Sequence, residues 1–345
     1  SQSITALESI NDTPATGQTI AADAFKGCNA LTSVKIGSIN SADAVGAAAF
    51  GNKLKTVKIG TVKAGNKALV TGAFVYKNVT GTSLDLATGT DEYLSSDDAT
   101  TSIIQAGAFD FSAVTGGTSW RTGDYPAVNI GTIRSIGGVF AQGAIKGGKI
   151  YALNFKGSIA SNGIDNCPIS DDTDATSVTG LVLNALNFEG KIATGGISIN
   201  AFADLPNITT LTFSGDLAEK AIANGAFEDL PADSKIYYTC MAITDEYVNP
   251  FDKNAFSTSA DVTTTRNIEI TVANAQLLSN YQGNFDGSGI TLDGEFDIYR
   301  VKFYVAPVDP VVDKTFVAYR NDNEKNVAWA RLYQLGAKGV GTIAD

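Results

Sequence analysis

The chain keeps writing the same unit. IAADAF ends at Phe25, VGAAAF at Phe50, VTGAF at Phe74, IQAGAF at Phe109, IGGVF at Phe140, ISINAF at Phe202, IANGAF at Phe227 and FDKNAF at Phe256. Each copy places an apolar residue four or five positions ahead of its Phe. Behind the Phe comes apolar-x-x-apolar-x-apolar, as in Leu31-Val34-Ile36, Leu54-Val57-Ile59 and Ile208-Leu211-Phe213. It usually closes on Gly and one more apolar residue, as in IGSI, IGTV, FKGSI, FEGKI and FSGDL. With the middle apolar residue as register mark, the copies fall at Val34, Val57, Leu84, Val128, Leu153, Leu186, Leu211, Ile236 and Ile268. Four of the eight intervals are 23 or 25 residues, and the two longest lie between Leu84 and Leu186.

A period of about 20–29 residues with one short strand per period is the mark of a solenoid, in which no unit can bury its own apolar row and stacked units bury each other's. The expected fold is therefore mainly β with few short helices, built from short parallel strands. Within Val34-Lys35-Ile36 two residues point inward and one outward. The Gly that follows is expected to turn the chain off the strand. The Phe is expected to be the large anchor of the opposite wall, worth roughly 3–5 kcal/mol per Phe→Ala change when fully buried. A right-handed parallel β-helix has a similar coil length and is the alternative architecture.

The register Ala24-Phe25-Lys26-Gly27-Cys28-x-x-Leu31-x-x-Val34-x-Ile36 resembles the BspA-type leucine-rich repeats of bacterial cell-surface proteins. The resemblance covers roughly residues 15 to 282 and is strongest in the first two and last three copies. It implies a leucine-rich-repeat solenoid over 1–284, with about nine irregular repeats and an insertion near 88–126. It also implies export, a place at the cell surface, and an adhesive or binding role.

Composition excludes several function classes. A formal charge of −11 and a pI near 4.5 oppose nucleic acid and anionic membrane surfaces, because counterion release rewards clustered Lys and Arg. No run approaches the roughly 18–20 apolar residues that a spanning helix needs. The chain starts at Ser1 and its one methionine is Met241, so removal of a leader is expected. With 0 histidines, His-based acid–base catalysis, Ser-His-Asp and Cys-His systems and His-containing zinc sites all fall away. Cys28, Cys167 and Cys240 lie far apart, with neither disulfide-framework nor metal-ligand spacing. No phosphate loop, strand-borne GxGxxG or GxSxG elbow is present. These absences point to a non-enzymatic protein without a cofactor. The alternative from another class is a β-helix polysaccharide lyase or hydrolase working through carboxylates with Lys or Arg.

Two regions are candidates for partner binding. The outward residue of successive strands reads Lys35, Lys58, Asp85, Asn129, Asn154, Asn187, Thr212, Tyr237 and Glu269. Asn129, Asn154 and Asn187 either form an amide ladder or offer amides to glycan hydroxyls or peptide backbone, with Tyr237 the one aromatic on the row. The inserted stretch TGGTSWRTGDYP brings Trp120, Arg121 and Tyr125 together, a composition typical of interface hot spots. It either docks a partner or folds back on an apolar seam. The expected partner is an extracellular protein or a glycan. Acidic groups at Asp91, Asp97 and Asp98, and at Asp171, Asp172 and Asp174, are weak candidates for Ca²⁺, since neither has the spacing of a known calcium loop.

The tail after about residue 285 changes character. Stretches ending in YRVKFYV, TFVAYRND and NVAWARLYQL read as three alternating strands. The expectation is an antiparallel β cap or small β module over 285–345, covering the open end of the array. A short helix is expected at 272–282.

Overall fold

The computed structural model of the chain describes residues 4–11, 19–50, 53–65, 67–77, 81–98, 100–114, 125–135, 137–147, 149–170, 182–203, 205, 208–231, 233–240, 250–252, 255–256, 266–272, 299–305, 315–322 and 327–334. In chain order the strands are β1 (Ala6–Asn11), β2 (Ser33–Ile39), β3 (Thr56–Ala64), β4 (Phe74–Lys77), β5 (Ser83–Leu86), β6 (Tyr93–Ser96), β7 (Phe109–Ala113), β8 (Ala127–Ile130), β9 (Thr132–Ile133) and β10 (Ile145–Lys146). They continue with β11 (Lys149–Phe155), β12 (Ile169–Ser170), β13 (Val182–Phe188), β14 (Thr210–Phe213), β15 (Lys235–Cys240), β16 (Arg266–Val272), β17 (Tyr299–Val305), β18 (Thr315–Asp322) and β19 (Val327–Gln334). The described residues contain no helix, hence none long and apolar enough to cross a membrane. The segment 273–282 lies outside the described residues.

The architecture is mainly β, a stack of parallel coils. The main sheet runs β1-β2-β3-β5-β8-β11-β13-β14-β15-β16-β17-β18-β19, parallel from β1 to β17. Its register follows the sequence marks without a slip: Val34 pairs with Val57, Val57 with Leu84, Leu84 with Val128, and so on to Ile236 with Ile268. Leu7 extends this row at one end and Val301 at the other. The residues after the strand-end Gly also align. Ile39, Val62, Leu94, Ile133, Ile159, Ile192 and Leu217 pair in succession, and all are buried.

The opposite wall is built from two turns per coil. An inward apolar residue precedes the anchor by five positions in nine coils, from Ile20/Phe25 and Val45/Phe50 to Ile222/Phe227 and Phe251/Phe256. Ahead of the anchor, the residue two positions back is left-handed in Asp23, Ala48, Gly72, Gly107, Gly143, Asn200 and Gly225, with φ from 49° to 69°. Ala24 N–H donates to the Ala21 carbonyl at 3.2 Å, and Ala226 N–H to Ala223 at 3.1 Å. A closed four-residue turn with positive φ at its third residue is the type II pattern. Neighbouring coils are joined where each anchor N–H donates to the carbonyl ahead of the next anchor, as Phe25 to Ala49 at 2.7 Å and Phe227 to Ala255 at 2.8 Å.

The anchors stack. Phe25, Phe50, Phe74 and Phe109 form one run, with successive centroids 5.6, 5.0 and 5.1 Å apart. Phe202, Phe227 and Phe256 form a second, at 5.3 and 5.6 Å. A third run, Phe155, Phe188 and Phe213, comes from the strand ends at 4.9 and 5.1 Å and meets the second edge-on. Stacked and edge-to-face rings at these distances are both favourable arrangements.

Four expectations change. Phe140 is not an anchor. It pairs with Ile104, in the row five positions earlier, and Ile145 occupies the anchor place, pairing with Phe109. Ile169 follows Ile145 there, so two isoleucines interrupt the Phe stack. The insertion near 88–126 is two insertions. Twenty positions separate Leu84 from Ile104, where eleven separate Val34 from Val45; nineteen separate Phe109 from Val128, where seven separate Phe50 from Val57.

The strand-end glycines are needed for closeness rather than bending. Gly190 has no positive φ, but a Cβ there would overlap the Gly157 carbonyl. Finally, the parallel sheet does not stop at 284. β17 pairs with β16 in parallel over seven registered positions, and the antiparallel geometry begins only at β17–β18 and β18–β19.

Candidate functional site

The outward face of the main sheet is one surface. Inward residues of each strand are locked in the core, so the residue between them projects to the open side. On three central coils that residue is an asparagine whose amide reaches along the stack. Asn187 Nδ2 donates to Asn154 Oδ1 at 2.8 Å, Asn154 Nδ2 to Asn129 Oδ1 at 2.9 Å, and Asn129 Nδ2 to Asp85 Oδ1 at 2.7 Å. Of the two readings of Asn129, Asn154 and Asn187, the ladder is the one observed. Its end was not anticipated. Asp85 sits 44 residues before Asn129, and a carboxylate only accepts, so Asp85 sets the direction of the whole chain of amides.

The rest of the row keeps the expected order. Lys35 is exposed, and Lys58, Thr212 and Tyr237 are half-buried. Lys35 and Lys58 are register partners. Beside the Lys–Asp end runs Ser33, Thr56 and Ser83, and beside the ladder Ala127, Ala152 and Ala185. Small residues therefore flank one side of the face, and a polar row runs down its length.

The inserted loop divides. Trp120 and Arg121 lie outside the described residues. Tyr125 is only 5% exposed, next to Pro126, whose carbonyl accepts from Tyr151 N–H at 2.9 Å. It is buried rather than presented. A neighbouring rim holds groups that sequence reading missed. Arg134 lies 4.1 Å over the Tyr93 ring, a cation–π contact between residues with no local signal joining them. Lys63 faces Asp97 at 3.9 Å.

Asp98 of the acidic stretch is spent on its own turn. Asp98 Oδ1 accepts Thr100 N–H at 2.8 Å and Thr100 Oγ1–H at 2.7 Å, and these bonds hold the carboxyl below its ordinary value. Asp171, Asp172 and Asp174 lie outside the described residues. Among the described residues no three acidic or thiol side chains converge as a metal site.

Buried groups carry the large shifts. Burial, then the Asp85 charge, push the Tyr76 hydroxyl well above its ordinary value, and its ring stacks on Phe111 at 4.0 Å. Burial pushes the Cys167 thiol up to about 12. Cys28 is half-buried. Comparison with protein-family models, with curated proteins and with solved structures finds no match.

Proposed function

We propose that this chain is a non-enzymatic interaction protein, a leucine-rich-repeat solenoid of the BspA type whose open strand face receives an extracellular protein or glycan. Export and cell-surface placement belong to the same reading and come from the resemblance. The observation that carries it is the unbroken outward row from Lys35 to Tyr237, polar and aligned coil by coil. The extended open face of a solenoid is where repeat proteins engage partners. The inserted stretch with Trp120 and Arg121 is a second contact region in this reading.

The test compares the face with another surface. Thr212→Arg with Tyr237→Arg is expected to abolish retention on a combined panel of glycans and extracellular-matrix proteins. Ile199→Arg, at a site 64% exposed, is expected to bind as the parent does. Unchanged retention by the face variant would overturn the reading.

A second reading has its own support. The described residues contain no helix, and a four-stranded parallel sheet β12-β10-β7-β4 forms on the opposite wall, as a parallel β-helix requires. The matching activity is a polysaccharide lyase or hydrolase. Release of unsaturated uronate from a polysaccharide panel would establish a lyase and new reducing ends without it a hydrolase, and a panel silent in both would remove the reading.

A further inference from the structure

The amide ladder engages one acceptor on each of three coils and leaves a donor hydrogen on each asparagine. Each bond runs from an Nδ2 to the Oδ1, or carboxylate, of the coil before it, and so occupies Asp85 Oδ1, Asn129 Oδ1 and Asn154 Oδ1 in turn. An amide nitrogen carries two hydrogens. One of each is engaged, and the second remains on a half-buried side chain at the open face. Beyond Asp85 the same row continues into Lys58 and Lys35, register partners that form no ion pair among the described residues. Like charges directly opposite on neighbouring strands cost stability. Here they persist in a chain of net charge −11 that has acids to spare.

We propose that this row, from Lys35 and Lys58 past Asp85 to Asn129, Asn154 and Asn187, binds a linear glycan bearing carboxylates, laid across the strands. The proposal rests on the open-face reading above and names its ligand class. Apart from the Asp85 carboxylate and Asn187 Oδ1, the groups that the row leaves open are donors, which suits an acceptor-rich ligand. The paired ammonium groups of Lys35 and Lys58, two against the one Asp85, favour a charged one. The flanking Ala127, Ala152 and Ala185 leave room for a flat polymer but make no pocket for peptide side chains. An extended chain meets one row residue about every 4.8 Å, the spacing of stacked strands. The overall negative charge does not forbid this, because at physiological salt the ligand feels charges only within about 8 Å.

The probe is polygalacturonate, with its fully methyl-esterified form as the uncharged twin and poly-glutamate as the peptide polyanion, titrated against the full chain by calorimetry. Binding of polygalacturonate alone is expected, weakened at least tenfold by Lys35→Glu with Lys58→Glu and by Asn154→Leu. Lys191→Glu, exposed and off the row, is expected to change nothing. A thermal melt of each variant separates lost binding from lost folding; should Lys35→Glu with Lys58→Glu unfold, Lys35→Gln alone must still weaken binding. Equal binding of the ester, tighter binding of poly-glutamate, or indifference to the lysine change each overturns the proposal. If no carboxylated polymer binds while the Thr212/Tyr237 variant still abolishes capture of another ligand, only the ligand class fails. If neither holds, the open-face reading fails with it. Release of unsaturated uronate would keep the ligand class and replace the non-enzymatic reading.

Discussion

Ala48 sits at φ 49° in the place where Gly72, Gly107, Gly143 and Gly225 stand in other coils. A left-handed L-residue costs roughly 1–2 kcal/mol, part of which glycine gives back through its freer unfolded chain. Ala48→Gly is therefore expected to stabilise by about 0.5–1 kcal/mol, read as a higher urea midpoint with unchanged slope. Gly190 carries the reverse lesson. Alanine there collides with the Gly157 backbone, which cannot swing aside as a side chain can, so a loss of roughly 1–3 kcal/mol is expected in the same assay.

Cys167 provides a chemical check. Its ordinary value is 9.0 and burial raises it to about 12, so the native thiol stays protonated where the unfolded one ionises. The folded state then binds more protons, and stability falls as pH rises from 9.0 towards about 12. Near pH 8, peptide-resolved iodoacetamide labelling is expected to mark half-buried Cys28 and spare Cys167 until the protein unfolds.

At the scale of the element, the stacked rows decide stability. Phe227 is fully buried, stacked between Phe202 and Phe256 and met edge-on by Phe188 and Phe213. Phe227→Ala is expected to cost roughly 3–5 kcal/mol by denaturant unfolding. Phe25, half-buried at the first coil and stacked on one side only by Phe50, should cost clearly less. Asn154 donates to Asn129 and accepts from Asn187; Asn154→Ala removes both bonds and is expected to cost about 1–2 kcal/mol at this half-buried site. The pattern of inward residues two apart made the strands legible, since a strand's sides alternate whatever surrounds it. The hand of the ladder was not legible, because it depends on Asp85, far away in the chain and adjacent only after stacking.

For the whole molecule, the sheet is one continuous object from β1 to β19. Ending the chain at residue 284 would leave β16 without its seven registered partners on β17. An exposed parallel edge is a template for self-association. The truncated chain is expected to elute as oligomers in size-exclusion chromatography and to melt lower than the full chain. Among the described residues the core is one buried cluster reaching from Ile20 to Phe256, so a lesion in any of these coils weakens its neighbours by opening the shared row.

The order of residues by itself determined the stacking, the nine strand positions and the aromatic anchors, because each is written as a short local pattern that repeats. It could not place Phe140. Val139-Phe140 and Ala144-Ile145 both look like anchors from within their own coil, and only pairing with Ile104 and Phe109 separates them. The same holds for Tyr125, whose local surroundings suit a surface loop and whose packing buries it, and for β17, whose alternation fits either direction until β16 is beside it. Local alternation says which residues turn inward. Which neighbour they meet is settled by hydrogen bonding between coils, and that exists only once the chain has closed on itself.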